Sequence, residues 1–175
     1  MKFKQMRPQD IVVLMKLIST KGRDITNKEI ASELGISASE VSEALERCRI
    51  ARLVDESKKR VNTLALEEFL VHGLKYVFPI IPMRRTRGIV TGISASPIKE
   101  KINPTSDVYV WPDTKGDIRG YAITPLYRTV PQAVQSDSKL YELLVIGDTL
   151  RIGRPREVEI AKQDLNSIIQ EYNAR

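Results

Sequence analysis

The sequence predicts an α+β chain: helices closed by a short hairpin over residues 1–78, then a small mixed α/β unit over 79–175 that ends in two helices. Three observations carry this expectation. Apolar residues recur at three- and four-residue spacing in the segments after Pro8, Thr26 and Ser37, and again after Asp137 and Pro155. Two hydroxyl-x-x-glutamate pairs, Thr26 with Glu29 and Ser37 with Glu40, mark helix starts eleven residues apart. From Lys75 onward, YVFPIIP and then VYVW and IRGYAI change the texture to β-branched and aromatic residues punctuated by proline and glycine.

The first helix is expected over Arg7 to Ser19. Pro8 suits its first turn, Asp10 complements the positive end of the helix dipole, and Ile11, Leu14, Met15 and Ile18 form one apolar stripe. Lys21 to Asp24 end it with turn chemistry. A second helix runs from Thr26 to Leu34 and stops at Gly35, which takes a left-handed backbone at little steric cost. A third, capped by Ser37, reaches about Arg49 or Ile50, roughly 20 Å at 1.5 Å per residue. Ile30, Leu34, Ile36, Val41 and Leu45 fall where the two would cross, with Ala31 small enough to let the backbones approach. Arg49 to Val54 leads into a short strand, DESKKR at 55–60 is a hairpin tip, and Val61 returns. Asn62 or Thr63 starts a further helix through Leu66 and Leu70 to about Leu74.

Ala31, Gly35 and Val41, flanked by Ile30, Leu34 and Ile36, resemble the helix-turn-helix pattern of bacterial transcription regulators, most closely the winged-helix type of MarR-like proteins, over residues 8 to about 78. The resemblance implies an N-terminal winged helix-turn-helix DNA-binding domain (1–78) with a recognition helix at 37–50 and a basic wing at 55–61. The second domain (79–175) would then serve dimerisation, sensing or partner binding. On the helix, Ser37, Ala38, Ser39, Ser42, Glu43 and Arg47 fall on the outer face: the hydroxyls can bond base edges or phosphates, and Ala38 can meet a thymine methyl. Lys58, Lys59 and Arg60 would hold phosphates or enter the minor groove. Glu43 and Glu46 run against this, since they repel phosphate unless they face cytosine amino groups or pair with Arg47 and Arg49.

After Pro79, Arg84, Arg85 and Arg87 form a cluster that either extends a DNA contact along the backbone, holds a small anion, or is a solvated loop. Val108 to Trp111 and Ile118 to Ile123 flank PDTKGD as an expected β-hairpin, with Trp111 and Tyr109 read as core rather than as a ligand site. Pro125 to Val130 is a loop that adds Arg128. Asp137 caps a helix through Leu140, Leu143, Leu144, Ile146 and Leu150, apolar around much of its circumference, which implies contact on two sides. Gly153 stops it. Pro155 opens the last helix, with Val158, Ala161, Leu165, Ile168, Ile169 and Tyr172 in one stripe that either closes the chain on itself or pairs two chains.

Composition sets the outer bounds. With 175 residues, 42% of them hydrophobic, the chain can bury a sizeable core. Its formal charge of +6 and pI near 9.5 favour polyanionic partners. The charge is not concentrated: 14 basic and 11 acidic residues lie before Pro79 and the same numbers after it, +3 each. No apolar run approaches the roughly 20 residues of a membrane span, and the N-terminal residues lack a secretory core, so a cytoplasmic location is expected. One cysteine and one histidine exclude an intramolecular disulfide and a usual structural zinc site, and no cofactor is expected. Cys48, in phase with Val41 and Leu45, reads as a small buried residue rather than a redox sensor, and His72 as structural or surface. HExxH, GxSxG and phosphate-binding loops are missing, and Asp113 and Asp117 sit in a turn for backbone reasons, so catalysis is not expected. The expectation is a sequence-specific regulator, a repressor, that binds double-stranded DNA as a homodimer. The alternative is a protein-interaction module, such as an antitoxin or adaptor, whose C-terminal domain binds a partner protein; RNA binding through the arginine loop is a third.

Overall fold

Helix α1 (Pro8–Ser19) runs through the centre of the molecule, in a computed structural model that describes residues 5–103 and 105–174. Pro8 opens it, and the Asp10 carboxylate accepts the Arg7 amide at 2.8 Å. Every residue from Gln9 to Ile18 is buried, not only the expected stripe. Burial all round, including Val12, Val13 and Leu17, requires apolar partners on opposite sides of the helix. α2 (Asn27–Leu34) and α3 (Ala38–Ile50) supply one side. Next come α4 (Thr63–His72), the single turn α5 (Leu74–Val77), strands β1 (Arg85–Val90), β2 (Tyr109–Pro112) and β3 (Ile118–Ala122), and the turn α6 (Val130–Ala133). α7 (Ser138–Ile152), capped by Asp137 as expected, supplies the other side of α1, and α8 (Pro155–Asn173) packs on α7 and α4.

One hydrophobic cluster therefore runs from Ile11 to Ile169, across the position where a boundary was expected at Pro79. Charged groups tie the same junction. Buried Lys16 on α1 places Nζ 2.5 Å from both Glu33 of α2 and Asp137 at the start of α7, and Ser19 donates to Asp137 at 2.8 Å. A lysine that deep needs both carboxylates to offset its lost hydration. At the other end of α8, Tyr172 accepts the Val61 amide at 3.3 Å and Asn173 bonds Thr63, so the last helix closes on its own chain. The expected strand before the hairpin tip is reduced to a single bridge, Val54 with Val61.

The three strands correct one expectation. β2 and β3 are not a hairpin: they run parallel to each other, with Tyr109 facing Tyr121, and each is antiparallel to β1, which closes the sheet on itself. The linker after Pro112 does not turn back beside β2 but crosses β1, where the Asp113 amide donates to Arg87 O at 3.2 Å. Asp and Gly in PDTKGD serve such a crossing as well as a hairpin, which is why local turn chemistry did not separate the two. Closure is tight. A Cβ on Gly88 would stand 2.0 Å from Trp111 O, and one on Gly120 2.5 Å from Val108 O. The unit is seated on α7 by buried Asp148, which accepts from Thr91 Oγ1 at 2.8 Å and Trp111 Nε1 at 2.7 Å and pairs with Arg151.

Candidate nucleic-acid interface

The front of α3 is built by local chemistry. Gly35 adopts φ 67°, ψ 35°, and Ser37 is extended, so the chain turns sharply between α2 and α3. Ser37 Oγ accepts the Glu40 amide at 3.1 Å while Glu40 accepts the Ser37 amide at 2.9 Å, and Thr26 with Glu29 repeats the arrangement at α2. Val41, Ala44, Leu45 and Cys48 point inward. Ser37, Ala38, Ser39, Ser42 and Glu43 are exposed, on one continuous surface.

Arg47 does not belong to it. Expected on the outer face, its side chain is only 5% exposed and grips fully buried Asp10 of α1, with Nε 2.9 Å and Nη2 2.7 Å from the carboxylate oxygens. Position 47 lies on the flank of α3 nearest the start of α1, and a guanidinium carried inward there is neutralised by the buried Asp10 carboxylate.

The carboxylates on α3 divide. Glu40 is held down to about 2 by the Ser37 amide first, then by the Ser37 hydroxyl, Gln9 and Tyr127. Glu46 is likewise held at about 2, by Arg49 and then Lys58. Arg49 also reaches Glu56 at 3.0 Å. Glu43 stays 61% exposed, with only a 3.8 Å approach to Arg47. So the pairing of Glu46 with Arg49 that the sequence left open is present, and Glu43 remains the open negative charge on the face.

The hairpin tip is organised by Asp55, whose Oδ1 accepts the Lys59 and Arg60 amides at 3.1 Å each. Lys58 leans on α3 and meets Glu46 at 2.6 Å, Lys59 meets Asp24 at 2.9 Å, and Arg60 makes no ion pair among the described residues. Water screens such exposed pairs so strongly that a phosphate can displace the carboxylate.

One neighbour was missed. Tyr127 donates its hydroxyl to Glu40 at 3.1 Å, Thr129 lies beside Gly35, and the Arg128 guanidinium stands over the Tyr127 ring, 5.6 Å from its centre. The C-terminal half thus reaches the turn between α2 and α3 without covering Ser39 or Ser42. The aromatic-basic pair YR in that loop was the only sequence signal. Arg85 and Arg87 lie exposed on β1, with Arg84 exposed just before it. The link from β3 to Tyr127 is Ile123 to Leu126.

No family model, curated protein or solved structure matches the chain. Among the described residues, no group of three or more His, Cys, Asp or Glu is placed to hold a metal ion, and no helix is long and apolar enough to cross a membrane. Cys48 is fully buried, and burial pushes its thiol well above its ordinary range. His72 is exposed on α4, and Trp111 is core.

Proposed function

We propose that the chain is a sequence-specific duplex-DNA-binding regulator, a repressor of winged helix-turn-helix type, with α3 as its recognition helix and the 55–61 hairpin as its wing. The observation that carries the reading is the front of α3: Ser37, Ala38, Ser39 and Ser42 stand exposed on a capped helix of 13 residues, long enough at about 20 Å to lie in a major groove. Lys58, Lys59, Arg60 and Arg128 flank it with positive charge, and the carboxylates of Glu40 and Glu46 are already engaged. The hydroxyls would read base edges while the flanking cations hold phosphates. A homodimer would present two such helices to an inverted repeat.

Selection of duplexes from a random pool tests this directly. Enrichment of one motif is expected, and Ser39→Ala or Ser42→Ala should change the preferred bases by roughly the 1–3 kcal/mol typical of a base contact, while leaving affinity for mixed-sequence DNA in place. A uniform loss across all duplexes, or no enrichment at all, would contradict it.

A second reading, a protein-binding adaptor or antitoxin, is favoured by Glu43, which stays 61% exposed on the face of α3 and repels phosphate. Stoichiometric co-purification with the product of a neighbouring gene, in a protein that enriches no duplex, would decide for it.

A further inference from the structure

We propose that the arginine face of the three-stranded unit, Arg85, Arg87 and Arg119 beside Tyr121, is a second contact for the phosphate backbone of duplex DNA, outboard of α3. The proposal rests on the DNA reading above and adds a surface that α3 and the hairpin do not contain.

Strand register assembles the face. Arg85 and Arg87 are two apart on β1 and so point the same way, and their partners across the antiparallel pair are Tyr121 and Arg119. All four are exposed. Arg87 and Arg119 are thus like charges directly opposite each other, an arrangement that costs stability in a sheet. Among the described residues neither forms an ion pair with a carboxylate, and Asp113 in the adjoining linker is turned to the Lys115 amide at 2.7 Å. A bound polyanion removes that repulsion.

The aromatic groups say which polyanion. The Arg85 guanidinium lies 5.4 Å from the centre of the Tyr121 ring, and Tyr109 packs against the same ring at 6.3 Å. Arg85 lies over this ring and Tyr109 is tilted against it at 42°, so the face presents one engaged ring rather than the row of open rings on which successive bases of a single strand stack. What stays available is the hydrogen-bonding edge of each guanidinium, which suits phosphate oxygens. Arg85 and Arg87 are about 7 Å apart along the strand, commensurate with the charge every 3.4 Å of axis along one strand of a duplex.

The face is held at a fixed place. Tyr141 donates to Val90 O at 2.6 Å, and Asp148 holds Thr91 and Trp111, so β1 and β2 are anchored to α7. From Tyr121 the chain reaches Tyr127, bonded to Glu40 on α3, in six residues. That tether spans at most about 20 Å, less than one turn of duplex.

The test is a salt titration of binding to a 30-base-pair duplex of mixed sequence, for the full chain and for Arg85→Gln/Arg87→Gln/Arg119→Gln. The slope of log affinity against log salt should fall by about 2 to 3, close to 0.9 for each phosphate that the arginines no longer hold. Lys75→Gln/Lys99→Gln/Lys162→Gln, which removes the same charge elsewhere, should keep the parent slope. An unchanged slope in the arginine variant, or an equal fall in the lysine variant, overturns the proposal. So does a 30-nucleotide single strand bound more tightly than the duplex. A parent protein with no salt-dependent duplex binding sinks the DNA reading as a whole, whereas a salt-dependent parent beside an unaltered arginine variant sinks only the second contact. Should the triple variant not fold, hydroxyl-radical footprinting of the unaltered protein on an enriched duplex decides. Protection must extend beyond the segment that α3 and the hairpin cover, and protection confined to that segment overturns the proposal.

Discussion

Asp10 and Arg47 form a deeply placed ion pair between α1 and α3, and its worth depends on what is removed. Taking away the carboxylate alone, as in Asp10→Ala, strands a guanidinium in apolar surroundings and is expected to lower stability by about 3–5 kcal/mol in urea unfolding. Replacing both partners by apolar residues of similar volume, Asp10→Leu with Arg47→Met, should recover most of that loss. A double variant as unstable as the single one would show that the pair does more than neutralise itself. This is also where sequence reading stopped. The Ser37 and Glu40 cap was legible because its partners are three residues apart, and the inward positions of Val41, Leu45 and Cys48 followed from helical period. Arg47 was not, because its partner lies 37 residues away on another helix. Asp10 already had a sufficient local role at the helix start, so nothing called for a second one.

The same distinction holds among elements. Helices α1, α2, α3, α7 and α8 begin where Pro, Thr, Ser or Asp sits at a helix start, since capping and period are properties of consecutive residues. The strand unit obeys no such local rule. β2 and β3 were legible as strands, but β1 was not, since Arg84, Arg85 and Arg87 read as a cluster in a loop, and the pairing rests on glycines that let backbones approach across the closed sheet. Gly88→Ala puts a methyl carbon into the Trp111 carbonyl and should cost about 3 kcal/mol or more, since backbone on both sides cannot give way. Trp111 is the only tryptophan, so detachment of the unit would register as a red shift of emission on mild heating while helical circular dichroism persists. Coincident loss of both signals would show that the strands and helices unfold as one. An unshifted melting curve would mean that the approach is looser than the geometry implies.

At the scale of the whole molecule, the decisive feature is that α1 is shared. Four helices and a hairpin suggested a unit complete by residue 78, yet α7 covers α1 on its second side, and Lys16 is neutralised partly from there. A 1–78 fragment would uncover the side of α1 that α7 covers, where Met15 lies against Gly147, and lose one of the two carboxylates around Lys16. It is expected to be poorly folded or to self-associate, as read by circular dichroism and amide dispersion in NMR spectra. A sharp, monomeric spectrum would contradict this. The sequence did carry the hint, in a helix after Asp137 apolar around much of its circumference, but not which surface it would cover. For anyone wishing to transplant the α2–α3 helix pair into another scaffold, the consequence is practical: a cassette cut at residue 78 leaves half its floor behind, and a well-folded chimera has to bring α7 with it.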